Sequence, residues 1–274
     1  MFTRTGQLRI LWWRIQSVQT TFTNSGVAAI TGLERDFARS LVCKAEARGL
    51  VTRLKPGLFV LVPSELGIAT QFSGHPYLTA RAMVGCADYY ISHSSAVELH
   101  RMVTQPQFTV FTSTPKRLRA RTILGTEFRF VFVPPERLFG VSAHWITKQD
   151  LVRISDLERT VIDGLRQPEC CGSIAEVARG LWMRREDLTT SRAIDYALRL
   201  RVGSVIRRLG YLLDLYHLAP GPELQRLRSA LTVTDSLLDP VMPKEGLSTA
   251  AWRLRPNVVP AELEAIGSTQ LSGM

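Results

Sequence analysis

The sequence predicts an α+β chain, with a small N-terminal unit of short helices closed by a β-hairpin and a larger mixed α/β body behind it. Three observations carry this. Apolar residues recur at three- and four-residue steps through residues 8–48. Aromatic and β-branched runs at residues 108–112 and 127–133 mark strands further on. A strand-to-helix joint over residues 152–168, V-R-I-S-D-L-E-R-T-V-I-D-G-L-R-Q-P, forms the expected centre of the larger body.

Taking the front in order, Leu8, Leu11, Trp12, Ile15 and Val18 are spaced for one face of a first helix, and residues 20–23 follow as a turn. Asn24 or Ser25 caps a second, short helix bearing Val27, Ala28 and Ile30. Gly32 then supplies the positive φ that a tight helix-to-helix turn needs. A third helix is expected over residues 33–48. On a 100° wheel Phe37, Leu41 and Ala45 make its apolar side, and Arg35, Arg39, Cys43 and Glu46 the far side, with Asp36 and Ser40 flanking. Residues 50–54 and 58–62, joined by Lys55-Pro56-Gly57, form a hairpin with a basic tip.

Three helices, a glycine turn and a hairpin carrying Arg53 and Lys55 make a winged helix-turn-helix pattern. Such a unit lays its third helix in the major groove of DNA while the wing touches backbone or minor groove. Arg35 and Arg39 lie one turn apart, where a guanidinium reaches guanine edges or phosphates, and Ser40 contacts either. The plainer alternative pairs Arg35 with Glu34 or Asp36, and Arg39 with Glu46, on a merely solvated face. Charge favours the DNA reading. The formal charge is +10, and residues 1–62 hold nine Lys and Arg against three acids, residues 63–150 nine against six, and the remainder sixteen against fifteen.

Residues 64–76, with Gly67, Gly74 and Pro76 and weak periodicity, read as a linker. It separates a DNA-binding domain over residues 1–63 from a second domain over residues 77–265, and residues 266–274 are left as a tail. In the second domain Tyr89-Tyr90-Ile91 is a short strand entering S-H-S-S, whose hydroxyls cap a helix bearing Ala96, Val97 and Leu99. Between the two aromatic strands, Lys116, Arg117, Arg119 and Arg121 stand with no acid among them. They form a secondary candidate for phosphate contact, set against the plainer reading of an exposed basic hairpin tip.

Residues 151–154 form a strand running into Ser155, which makes a capping box with Glu158, so that the central helix starts at Asp156 and is ended by Pro168. Leu157, Val161, Ile162 and Leu165 face the core, while Asp156, Arg159 and Arg166 point elsewhere. Helices follow at residues 175–181, 193–200 and 205–215, with Arg207 and Arg208 expected in solvent, the alternative being that they face phosphate or an acidic partner. Trp252-Arg253-Leu254 reads as a late strand returning to the sheet.

Catalytic chemistry finds little support. A restriction-type nuclease needs an acid followed by acid-x-Lys to hold Mg²⁺, and that triplet does not stand out. His75, His93, His100, His144 and His217 lack metal-ligand spacing, and neither GxGxxG nor a P-loop occurs. His93 lies among hydroxyls, but a helix-start histidine bonded to backbone is its plainer role. No catalytic residue, metal or cofactor is therefore expected. There is no apolar run long enough to span a bilayer, residues 8–18 lack a secretory cleavage pattern, and Cys43, Cys86, Cys170 and Cys171 form neither a CxxC pair nor a disulfide framework. A cytoplasmic protein without a membrane partner is expected.

Six blocks occur in order: Y-Y-I-S-H-S-S-A (89–96), T-Q-P (104–106), F-G (139–140), I-S-D-L-E-R-T-V-I-D (154–163), R-R-L-G-Y-L-L-D (207–214) and W-R-L-R-P-N-V (252–258). In order and spacing they resemble the AbiEi antitoxins of type IV toxin–antitoxin systems, over residues 22–260. The resemblance implies a repressor of its own operon that binds inverted repeats in the promoter. It also implies a C-terminal domain that opposes a cognate nucleotidyltransferase-like toxin, directly or indirectly. Arg101 departs from the family by standing where its helix ends in Gly, Cys171-Gly172-Ser173 stands where Gly-Gly is common, and Asp214 replaces Glu.

One recognition helix reads only about three or four base pairs, so two copies loading cooperatively on repeated half-sites of double-stranded DNA are expected. The expected function is a DNA-binding autorepressor and antitoxin rather than an enzyme. The alternative is a toxin-neutralising interaction module without sequence-specific DNA binding, and deleting residues 1–63 is the direct way to separate the two.

Overall fold

A computed structural model of the chain describes residues 21–62, 74–103 and 108–268, and the fold is mixed α/β. The expected first helix, residues 64–73 of the expected linker and the T-Q-P block lie outside the described residues. The front comprises β1 (Thr21–Thr23), α1 (Asn24–Thr31), α2 (Arg35–Ala47), β2 (Val51–Lys55) and β3 (Leu58–Leu61). Thr23, rather than Asn24 or Ser25, caps α1, its hydroxyl accepting from the Gly26 N–H at 3.1 Å. Gly32 ends α1 in the left-handed region at φ 70°, as the turn into α2 requires. The three strands form an antiparallel sheet in the order β1-β3-β2.

On α2 the buried stripe is Ala38, Val42 and Ala45, not Phe37, Leu41 and Ala45. Leu41 is half-buried beside that stripe and Phe37 is 62% exposed. The short side chains let α2 seat closely against Val27 and Phe22, which a phenyl ring at the contact would prevent. β3 is buried along its whole length. Phe59 and Leu61 close the small front core, while Leu58 and Val60 join Tyr77, Leu78 and Met83 in a second core, so the hairpin is a wall shared by both.

The second core lies under a six-stranded sheet built from β4 (Tyr90–Ile91), β5 (Thr109–Thr114), β6 (Arg121–Ile123), β7 (Thr126–Phe132), β8 (Val141–Trp145) and β9 (Leu151–Ser155). Two helices, α3 (Pro76–Val84) and α4 (His93–Leu99), accompany it. The strand order is β6-β7-β5-β4-β9-β8, with β5–β7 and β4–β9 parallel and the remaining pairs antiparallel. Because β5 and β7 are parallel, the basic segment between them is not a hairpin tip. It crosses over to β6 at the sheet edge.

The largest core is helical, formed by α5 (Leu157–Arg166), α6 (Ile174–Met183), α7 (Thr190–Leu200), α8 (Gly203–Leu215), α9 (Gly221–Ser229) and α10 (Pro260–Ser268). β10 (Ser236–Leu237) and β11 (Leu254–Arg255) pair with each other in parallel, so the late strand does not return to the large sheet as expected. α10 runs to Ser268, into the residues expected as tail.

The joint at α5 departs from its expected chemistry. Asp156 is the cap, accepting from the Arg159 N–H at 2.7 Å, because Ser155 is still paired in β9 and its hydroxyl lies 2.7 Å from that of Thr160. Glu158 is buried, and its Oε1 accepts from the Thr189 N–H and from Arg192, each at 2.8 Å. Burial would raise this carboxyl, but those two donors hold it below its usual range. Arg159, expected to point away from the core, is fully buried. Its Nε donates to Asp163 at 3.0 Å and its Nη2 to the Tyr90 hydroxyl at 2.9 Å, while Tyr90 donates to the other Asp163 oxygen at 3.0 Å. The Phe139 ring lies 4.4 Å from the guanidinium carbon.

The F-G, R-R-L-G-Y-L-L-D and W-R-L-R-P-N-V blocks likewise hold the body together. Gly140 has φ 67°, and a Cβ there would meet Arg159 and Tyr196 at 2.8 Å. Gly210 makes room for Trp252, whose ring would lie 2.1 Å from an added Cβ, and the Trp252 indole donates to Asp214 at 2.9 Å. Arg207 and Arg208, expected in solvent, are buried donors to backbone carbonyls: Arg207 to Thr232 and Thr234, Arg208 to Leu165 and Leu237. Carbonyls without partners in loops and at helix ends are what a buried guanidinium can satisfy.

Candidate nucleic-acid interface

The stripe that buries Ala38, Val42 and Ala45 determines which side chains α2 turns outward. Arg35, Asp36, Phe37, Arg39, Ser40, Cys43 and Lys44 are all exposed. Among the described residues neither Arg35 nor Arg39 has an ion-pair partner. Glu46, the alternative partner for Arg39, instead accepts from Arg53 of β2 at 2.7 Å. The Arg53 guanidinium also sits 5.5 Å from the centre of the Phe59 ring.

Two concavities meet at Arg53. A groove of about 360 Å³ runs between helix and hairpin, with Asn24, Arg39 and Cys43 on one wall and Arg53, Pro56, Gly57 and Phe59 on the other. A second cleft of about 470 Å³ lies between the hairpin and β6, lined by Glu46, Thr52, Arg53, Arg121, Thr122 and Leu124. The fold therefore brings Arg121 of β6 to a cleft shared with Arg53, far from it in the chain.

The lysines are placed differently from the arginines. Lys55 Nζ donates to the Met83 carbonyl at 2.7 Å and Lys116 Nζ to that of Val84 at 3.0 Å. Both carbonyls belong to the last turn of α3, where intrahelical partners run out and the helix dipole favours a cation. Burial, then the charges of Lys116 and Arg121, push the Lys55 ammonium below its ordinary value. These lysines tie the hairpin and the crossover to α3. Arg117 stacks over Phe132 at 4.4 Å, and Arg119 and Arg121 are exposed.

Asp36, Phe37, Cys43 and Lys44 are the outward residues that were not singled out for contact. The signal for them was present in the three- and four-residue spacing of Ala38, Val42 and Ala45, a small-residue stripe as regular as the bulkier one. His93 is 1% exposed, its Nδ1 lies 2.9 Å from the Ser92 hydroxyl rather than from a backbone group, and burial lowers its basicity. Among the described residues no cluster of His, Cys, Asp and Glu is arranged to hold a metal ion. Among them, too, no helix is long and apolar enough to cross a membrane.

No protein-family model matches the chain, and no curated protein matches it. Among solved structures, the crystal structure of the Rv2827c protein from Mycobacterium tuberculosis is similar, with a TM-score of 0.70 at 16% identity. The likeness covers 97% of this chain and 96% of that one, so the arrangement of both parts is shared. At that identity the likeness concerns the fold alone.

Proposed function

We propose that the front of the chain is a winged helix-turn-helix that binds double-stranded DNA, with α2 as the recognition helix and the β2–β3 hairpin as the wing. The observation that carries this is the groove flanked by Arg39 and Arg53, with Arg35 and Arg39 exposed and without ion-pair partners among the described residues. A cationic concavity of this kind suits a phosphate backbone, and exposed arginines at the start of a helix suit base edges. Arg121, which shares a cleft with Arg53, and the exposed Arg117 and Arg119 provide secondary phosphate contacts. Glu46 holds Arg53 in place until a phosphate competes for it.

On this reading, and with the resemblance to AbiEi antitoxins, the chain is a non-enzymatic, cytoplasmic autorepressor loading as two copies on promoter inverted repeats. Its larger body opposes a nucleotidyltransferase-like toxin. The full-length chain tests this better than a truncation, because deleting the hairpin would strip Leu54, Leu58 and Val60 from the second core. Arg35→Ala/Arg39→Ala is expected to weaken binding to the chain's own promoter by on the order of 1–3 kcal/mol per base-reading arginine. Protection against a co-expressed toxin should be retained. An electrophoretic shift unchanged by the double substitution would remove both arginines from the interface.

A further inference from the structure

Phe37 stands apart on α2. Its side chain is 62% exposed, and it belongs to none of the hydrophobic cores, whereas Leu41, one turn further on, packs against the front core. Its exposed neighbours along the helix are Ser40, three residues on, and Lys44, seven on, while Arg35 and Arg39, each two residues away, project from the opposite edge of the exposed face. An apolar pocket on a protein partner would have to accept these polar and cationic groups as well. The major groove does not impose that conflict. It presents a single apolar group, the thymine 5-methyl, within polar base edges and between anionic strands. Ser40 and Cys43 are short, so the helix can approach closely enough for a ring at position 37 to reach it.

We infer that Phe37 reads a thymine methyl in the major groove and is a specificity-determining residue of the interface. The recognised half-site then carries thymine at the base pair Phe37 faces. This rests on the DNA-binding reading above and specifies what that surface prefers. The test uses the full-length chain and a duplex carrying the sequence upstream of its own reading frame. Thymines are replaced position by position with deoxyuracil, which removes only the methyl, and binding is followed by fluorescence anisotropy.

For the unaltered chain, one uracil at the matching place in a half-site is expected to weaken binding about four-fold, the equivalent of one buried methyl at ~0.8 kcal/mol. Phe37→Ala should bind the thymine duplex more weakly and show no further loss with that uracil, while Phe37→Leu keeps part of the penalty. Thermal melting of each variant serves as the control on folding. A uracil penalty that persists in Phe37→Ala overturns the inference while leaving the DNA reading in place. So does its absence from an unaltered chain that still binds the thymine duplex. Failure of the thymine duplex to bind at all overturns both.

Discussion

Asp163→Ala tests whether the buried Arg159 ion pair holds the α5 joint to the sheet. The carboxylate accepts from Arg159 through one oxygen and from Tyr90 through the other, and both ends of the ion pair are essentially without solvent. Arg159 Nη1 already lacks a hydrogen-bond partner among the described residues, so the guanidinium has little left to lose. Removing the carboxylate strands a buried cation, at a cost of about 3–5 kcal/mol. At ~2–4 °C per kcal/mol for a chain of this size, Tm should fall by roughly 6–20 °C. Arg159→Met/Asp163→Leu removes both charges and should recover most of the loss, since an apolar pair of similar volume carries no desolvation penalty. Urea denaturation followed by circular dichroism measures both variants. A single variant within about 1 kcal/mol of wild type, or a double variant worse than the single, would refute the reasoning.

Gly210→Ala places a methyl where the Trp252 ring already lies, so a loss of about 3 kcal/mol or more is expected by thermal melting. Its combination with Trp252→Leu should be less damaging than the sum of the two changes. Arg101 is non-glycine at φ 56°, in the left-handed region; Arg101→Gly should stabilise by ~0.5–1 kcal/mol, the relief of strain exceeding the added chain entropy, and a lower urea midpoint would contradict this. Burial holds His75, His93 and His100 below their ordinary value of 6.5, so below that pH the unfolded chain binds more protons than the folded one. Stability should therefore decline as pH falls below 6.5 and change little from 7 to 8. A urea midpoint at pH 5.5 equal to that at pH 7.5 would count against it.

Elements with strong local signals were legible. α1, α2, the hairpin, β5, β7, β9 and α5 fall within a residue or two of where periodicity, turn residues and β-branched runs place them. Side-chain directions were less so, for reasons visible at particular residues. On α2 two apolar stripes lie one residue apart, and packing against Val27 and Phe22 selects the smaller one, which no count within the helix decides. Arg159, Arg207 and Arg208 read as surface because an arginine in sequence shows only its charge, whereas their partners lie far along the chain. Ser155 and Glu158 have capping-box spacing, yet β9 extends one residue further than expected and moves the cap to Asp156. In the candidate site, the exposure of Arg35, Arg39 and Ser40 was legible because it follows helix phase closely enough. The engagement of Lys55 and Lys116 by α3 carbonyls was not, since it depends on how the hairpin meets the larger body.

The central claim is that the groove between α2 and the hairpin receives the DNA backbone. The salt dependence of duplex binding tests it most directly, compared between wild type and Arg39→Ala/Arg53→Ala. Each phosphate contact contributes a slope of about −0.9 in log K against log salt. The account predicts steeply salt-dependent binding for wild type, and a slope shallower by roughly 1–2 when the two arginines of the groove are removed. Binding insensitive to salt, or a slope left unchanged by the double substitution, would contradict it.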